Sequence, residues 1–148
     1  MITLDDIAAA IVARYAASAE LVAALPGKVW LDRAPDEPAG DYAVFALERA
    51  GTPEWESDGT YLAPWTLRMV AYTVQGRTGG STPQQVQLAM AAAYNANPTS
   101  WTALRDGRVN CCLPDGYDGK HAPNLRAGKD VFAAAGQWRL LLEGNRTP

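Results

Sequence analysis

His121, the one histidine of the chain, stands in Asp118-Gly119-Lys120-His121. An imidazole beside a carboxylate has the chemistry for proton transfer near neutral pH. No serine or cysteine in an elbow or triad context accompanies it as a nucleophile. Loop carboxylates such as Glu54, Glu56 and Asp58 have the right type for a general acid and base. That work also needs a pocket and shifted pKa values, and solvated loop carboxylates are the simpler reading. Cys111 and Cys112 are adjacent, so on a strand they point to opposite faces and form a poor disulfide. With one histidine they make no metal set at usable spacing, and they read as two semi-buried strand thiols. The glycines of Gly76–Gly80 and Gly116–Gly119 lack the spacing of phosphate-binding loops. A helix start at Thr82–Gln85 is only a generic anion site. No catalytic residue, cofactor site or metal site emerges, and the sequence reads as that of a non-enzyme.

Charge narrows the classes further. The chain has 148 residues and a formal net charge of −3. This is against the basic footprint of a nucleic-acid binder, leaving only a local contact through Arg105, Arg108, Lys120, Arg126 and Lys129 as a minor alternative. No run approaches the roughly 18 consecutive apolar residues of a membrane span. The N-terminus lacks a basic region followed by an apolar one, so a cytoplasmic protein is expected. The length suits one domain over residues 1–148.

The elements that would position any site follow from periodicity. Thr3 and Asp6 form a capping box ahead of Leu4, Ile7, Ile11 and Tyr15, flanked by Ala8 and Val12, at helical spacing. A break is expected near Ser18, and Pro26-Gly27 ends the helix. Lys28–Asp32 is a short strand and Arg33–Gly40 a loop. In Asp41–Arg49 the strand alternates Ala43, Phe45, Leu47 against Tyr42, Val44, Ala46. Gly51–Thr60 reads as a long hairpin loop into Tyr61–Gln75, the most strand-like stretch of the chain. Trp65, Leu67, Met69, Ala71 and Thr73 share one face there, and Thr66, Arg68, Val70 and Tyr72 the other, as in a central strand with two partly covered faces. Pro64 lacks an N–H, which predicts regular pairing from about Trp65 onward.

Thr82-Pro83 starts a second helix near 82–96, with Val86, Met90 and Ala93 on one side and Leu88, Ala89, Ala92 and Tyr94 widening the apolar surface. Trp101 and Leu104 read as a short anchoring turn. Arg108–Leu113 is a strand, Tyr117–Gly128 an extended loop, and Asp130–Glu143 a long strand. On that last strand Phe132, Ala134, Trp138, Leu140 and Leu142 form a core face, and Ala133–Gly136 admits a close backbone or a bulge. The order is helix, strand, strand, strand, helix, strand, strand. It predicts an α+β fold in which a mainly antiparallel sheet packs against the N-terminal helix and the helix near 82–96.

Among the aromatic residues Trp55 is set apart, because it lies between Glu54 and Glu56 in a polar loop. It is either an interface anchor, as exposed tryptophans often are, or a ring folded back on the sheet.

The arrangement resembles a known family. An N-terminal helix, Leu25-Pro26-Gly27 before a short strand, and an acidic Pro-rich loop lead into Asp41-Tyr42-Ala43-Val44-Phe45. Leu67–Val74 follows, then a helix from Thr82. This is similar to the tail terminator, or tail completion, proteins of long-tailed bacteriophages, prophages and gene transfer agents. The resemblance implies a homo-oligomeric ring, commonly of six subunits, that ends tail-tube polymerisation and joins the tail to the head connector. Its implied partners are its own copies, the tail tube protein and a head–tail connector or neck protein. DNA would pass through the lumen without specific binding, and no membrane is involved. Its place would be the host cytoplasm during assembly and then the head-proximal end of the virion tail. Glu54, Trp55, Glu56, Asp58 and Arg68 are the expected subunit or partner interface. A head-completion or neck protein is the alternative within the class. A small ligand-binding or enzymatic domain using the Asp118/His121 loop is the alternative outside it.

Overall fold

The computed structural model describes residues 2–36, 40–74, 82–95, 104–115, 123–126 and 129–145, with the backbone alone at 74, 111, 123–126 and 129–132. The elements are α1 (Leu4–Ala17), α2 (Ala19–Ala24), β1 (Val29–Leu31), β2 (Tyr42–Arg49), β3 (Glu54–Trp55), β4 (Tyr61–Val74), α3 (Pro83–Tyr94), β5 (Gly107–Pro114), β6 (Pro123–Arg126) and β7 (Lys129–Gly144). They form an α+β fold on one sheet of order β1-β2-β4-β7-β5, with β3 added to β4 and β6 to β7. Apart from the parallel β1–β2 pair, every described strand pair is antiparallel.

Both long helices begin as the sequence predicts. The Thr3 hydroxyl accepts the N–H of Asp6 while the Asp6 carboxylate accepts the N–H of Thr3, and Thr82 and Gln85 repeat the exchange on α3. Each reciprocal pair satisfies backbone donors that a helix start otherwise leaves open. Ser18 separates α1 from α2, accepting the N–H of Leu21 with its side chain. Ile7, Ile11 and Tyr15 of α1 and Val86, Met90 and Tyr94 of α3 are buried. Leu4, Val12, Leu88 and Ala92 are not, so the apolar stripes are narrower than their spacing suggests.

The helices cover the face of β4 that carries Trp65, Leu67, Met69, Ala71 and Thr73, all buried. On the other face Thr66, Val70 and Tyr72 are half-buried and Arg68 is exposed. β4 is central, held by β2 on one side and β7 on the other. The core face of β7 is the expected one, with Ala134, Trp138, Leu140 and Leu142 buried. The side chain of Phe132 lies outside the described ones.

Four expectations change. Pairing of β4 begins at Tyr61 and runs through Pro64, which is opposite Leu141 of β7. The N and C=O of one strand residue point to the same neighbour. At Pro64 that neighbour is β2, just past its end at Arg49, where the Pro64 carbonyl still accepts the N–H of Ala50 at 2.9 Å. The missing N–H therefore costs no bond to β7. The Gly51–Thr60 loop contains β3, and the Tyr117–Gly128 loop contains β6, because each folds back onto the long strand it leads into. The irregularity expected in β7 lies instead in β5, where Asn110 is the extra residue between Val109, opposite Leu142, and Cys111, opposite Leu141. Gly136 serves packing: the Trp138 ring occupies the space a side chain there would take.

Candidate interface

The cross-strand register decides which of the candidate residues stand together. Trp55 is directly opposite Tyr61, so both side chains emerge on the helix-bearing face. Their rings are in contact at 5.1 Å between centroids. Arg68 lies on the opposite face, about 23 Å along β4 from Tyr61 at about 3.3 Å per residue. Trp55 and Arg68 are thus parts of two separate surfaces. Glu54, opposite Leu62, shares the face of Arg68.

Around Trp55 the chain turns tightly. The N–H of Glu56 donates to the Thr60 carbonyl at 2.8 Å, and the N–H of Gly59 donates to the Glu56 carbonyl at 3.1 Å. The Thr60 hydroxyl lies 2.6 Å from Asp58 Oδ1 and 3.2 Å from Glu56 Oε2. Its side-chain and backbone hydrogen bonds hold the Asp58 carboxyl below the usual carboxylate range. Trp55 remains 62% exposed despite its stacking, so it is folded onto the sheet and still presented to solvent. Beside it is a cleft of about 170 Å³ bordered by Ile2, Arg49, Pro53, Tyr61, Ala63 and Trp65. The Arg49 guanidinium lies over the Trp65 ring at 5.6 Å, a cation–π geometry.

On the open face, away from the described helices, Arg68 belongs to a polar row that spans three strands and ends just beyond a fourth. Its Nη1 is 3.7 Å from Glu48 Oε2 on β2, and its Nε donates to Gln137 Oε1 on β7 at 3.0 Å. Gln137 Nε2 in turn donates to Asp115 Oδ2, just beyond β5, at 2.8 Å. Apolar residues flank the row on the β1 side, where the rings of Tyr42 and Tyr72 approach to 5.3 Å. Arg108, one of the basic residues of the minor alternative, is engaged with Glu143 at 2.9 Å.

The sequence reading missed Arg49, Tyr61, Ala63 and Trp65 as cleft residues and Glu48, Gln137 and Asp115 as partners of Arg68. Alternation assigned their faces, whereas only the register sets Arg49 against Trp65 and Arg68 against Gln137. Asp118 and His121 lie outside the described residues. Cys112 is buried, and the Cys111 side chain lies outside the described ones. Among the described residues no group of His, Cys, Asp and Glu could hold a metal ion, and no helix is long and apolar enough to cross a membrane.

No protein-family model matches the chain, and no curated protein matches it. Among solved structures, it is similar to a chain in the virion of the native gene transfer agent particle, with a TM-score of 0.60 and 21% identity, over 92% of this chain and 93% of that one. The likeness is one of fold.

Proposed function

We propose that this chain is a structural component of a phage or gene transfer agent virion, and more narrowly a tail terminator. In this reading it forms a ring, of six subunits, at the head-proximal end of the tail tube, ends tube polymerisation and meets the head connector. The observation that carries the reading is the near full-length fold likeness to a chain of a gene transfer agent virion. The two-surface layout supports it as well. A ring component meets both its own copies and a different partner, and Arg68 and Trp55 occupy opposite sides of one sheet. The open face with the Arg68 row would pack on a neighbouring subunit, and the Trp55–Asp58 loop would face the tube or the connector. A net charge of −3 suits a lumen through which DNA passes without adhering.

Negative-stain imaging and sedimentation of the purified protein, alone and mixed with tail tubes, test the proposal. Rings that cap tube ends are expected. A protein that stays monomeric and never binds a tube end overturns it. Rings that bind only the head connector would place the chain as a head-completion or neck protein.

A further inference from the structure

Two tryptophans show how this chain treats a covered indole. Trp30 donates its ring N–H to the Gly27 carbonyl at 2.8 Å, and Trp138 donates its own to Asn95 Oδ1 at 2.6 Å. Trp65 differs. It is only 7% exposed, yet its indole N–H meets no acceptor among the described residues. A buried indole N–H ordinarily has a partner, and one left open costs free energy. Trp65 borders the cleft beside Trp55, so an acceptor can reach it from that side. Arg49 stands at the same place. Its guanidinium lies over the Trp65 ring and pairs with no carboxylate among the described residues. Among those residues no carboxylate borders the cleft, and Arg49 is its one charged side chain. Glu54, opposite Leu62, is on the other face of the sheet. The cleft thus brings two donors without acceptors beside the rings of Trp55, Tyr61 and Trp65.

We propose that this cleft is a binding site for a carboxylate joined to one aromatic ring. The carboxylate takes the Arg49 guanidinium and Trp65 Nε1–H, and the ring lies against Trp55 and Tyr61. An ionised carboxylate only accepts, and its two oxygens take several N–H donors at once, which matches the donors left open here. A cation in the same place would meet the like charge of Arg49 and find no carboxylate. Size points the same way. An apolar cavity of about 150 Å³ holds benzene, and this cleft, at about 170 Å³, has room for one ring. Two sources carry the group. One is a free small acid such as 3-phenylpropionate, and the other is a C-terminal phenylalanine of another chain, which has the same skeleton. The site is complete within one chain and does not depend on ring formation.

Titration of the isotope-labelled protein with 3-phenylpropionate, followed by NMR, provides the test. The indole resonance missing from Trp65→Phe identifies Trp65 Nε1–H. If that variant fails to fold, the indole resonance shifted most by Arg49→Gln identifies it instead. In the unaltered protein this resonance should move downfield and saturate with a Kd of about 1 mM or tighter. The neutral 3-phenylpropionamide should bind at least about tenfold more weakly. Arg49→Gln should remove that difference, and Trp55→Ala should weaken binding of the acid about tenfold. Acetyl-Gly-Gly-Phe with a free C-terminus separates the two sources. Tighter binding than the small acid assigns the site to a chain end, and weaker binding assigns it to a free acid. Absence of saturation, equal binding of acid and amide, or an unmoved Trp65 resonance overturns the proposal. So does an Arg49→Gln variant that still prefers the acid.

Discussion

The hydroxyl of Tyr61 accepts the backbone N–H of Ile2 at 2.7 Å, tying the start of the chain to the first paired residue of β4. Tyr61 is also the ring on which Trp55 rests, and the ring that fills the space beside Gly144 at the end of β7. One side chain therefore joins the N-terminus, the cleft and the far end of the sheet. Removing its hydroxyl leaves a buried N–H without an acceptor. Tyr61→Phe should lower the unfolding free energy by about 1–3 kcal/mol, as measured by urea denaturation. The fold of the cleft should survive, because the ring remains.

The Arg68 row should separate stability from assembly. Its ion pair with Glu48 is exposed on both sides, so Arg68→Ala should change stability by no more than about 1 kcal/mol. If the open face is a subunit interface, the same variant should sediment as smaller species than the unaltered protein. Thermal unfolding and sedimentation velocity on one preparation read the two effects. Normal rings from Arg68→Ala would remove this face from the interface.

Gly136 and Trp138 give a packing prediction. The Trp138 ring lies over Gly136, touches Tyr94 at 5.4 Å between centroids, and donates Nε1–H to Asn95 Oδ1 at 2.6 Å. The end of α3 is thus pinned through a ring that needs the glycine. Gly136→Val should expel that ring, reduce the near-ultraviolet circular dichroism signal and cost about 1–3 kcal/mol.

Alkaline pH should destabilise the protein through Tyr94. Burial pushes its phenol well above the usual value, and its hydroxyl donates to the Ile11 carbonyl at 3.1 Å. The folded state therefore holds this proton after the unfolded chain has lost it. The resulting stability is fully present below about pH 10 and is lost as pH rises from there toward the folded value. Burial raises Tyr15 in the same direction. Tyr94→Phe should cost about 1 kcal/mol at neutral pH and flatten the decline above pH 10 in denaturation midpoints.

Much of the architecture was legible because it depends on local signals. The Thr3–Asp6 box, the Thr82 cap with Pro83 behind it, the break at Ser18 and the alternation of Trp65, Leu67, Met69 and Ala71 are short-range patterns, and each appears where its chemistry places it. Period-two alternation assigns a residue to a face without reference to any partner strand. By itself, then, the sequence determined the helices, the long strands and the two faces of the central strand, but not the short strands β3 and β6. The tertiary structure alone decided the register. Register arises from pairing between segments far apart in the chain, and it sets Trp55 against Tyr61, Arg49 against Trp65 and Arg68 against Gln137. It also decided that the candidate interface is two surfaces, since Trp55 reaches the helix-bearing face only by folding back as β3. Where β1 stops against β2 follows from the turn at Asp32, a backbone conformation that no periodicity signals.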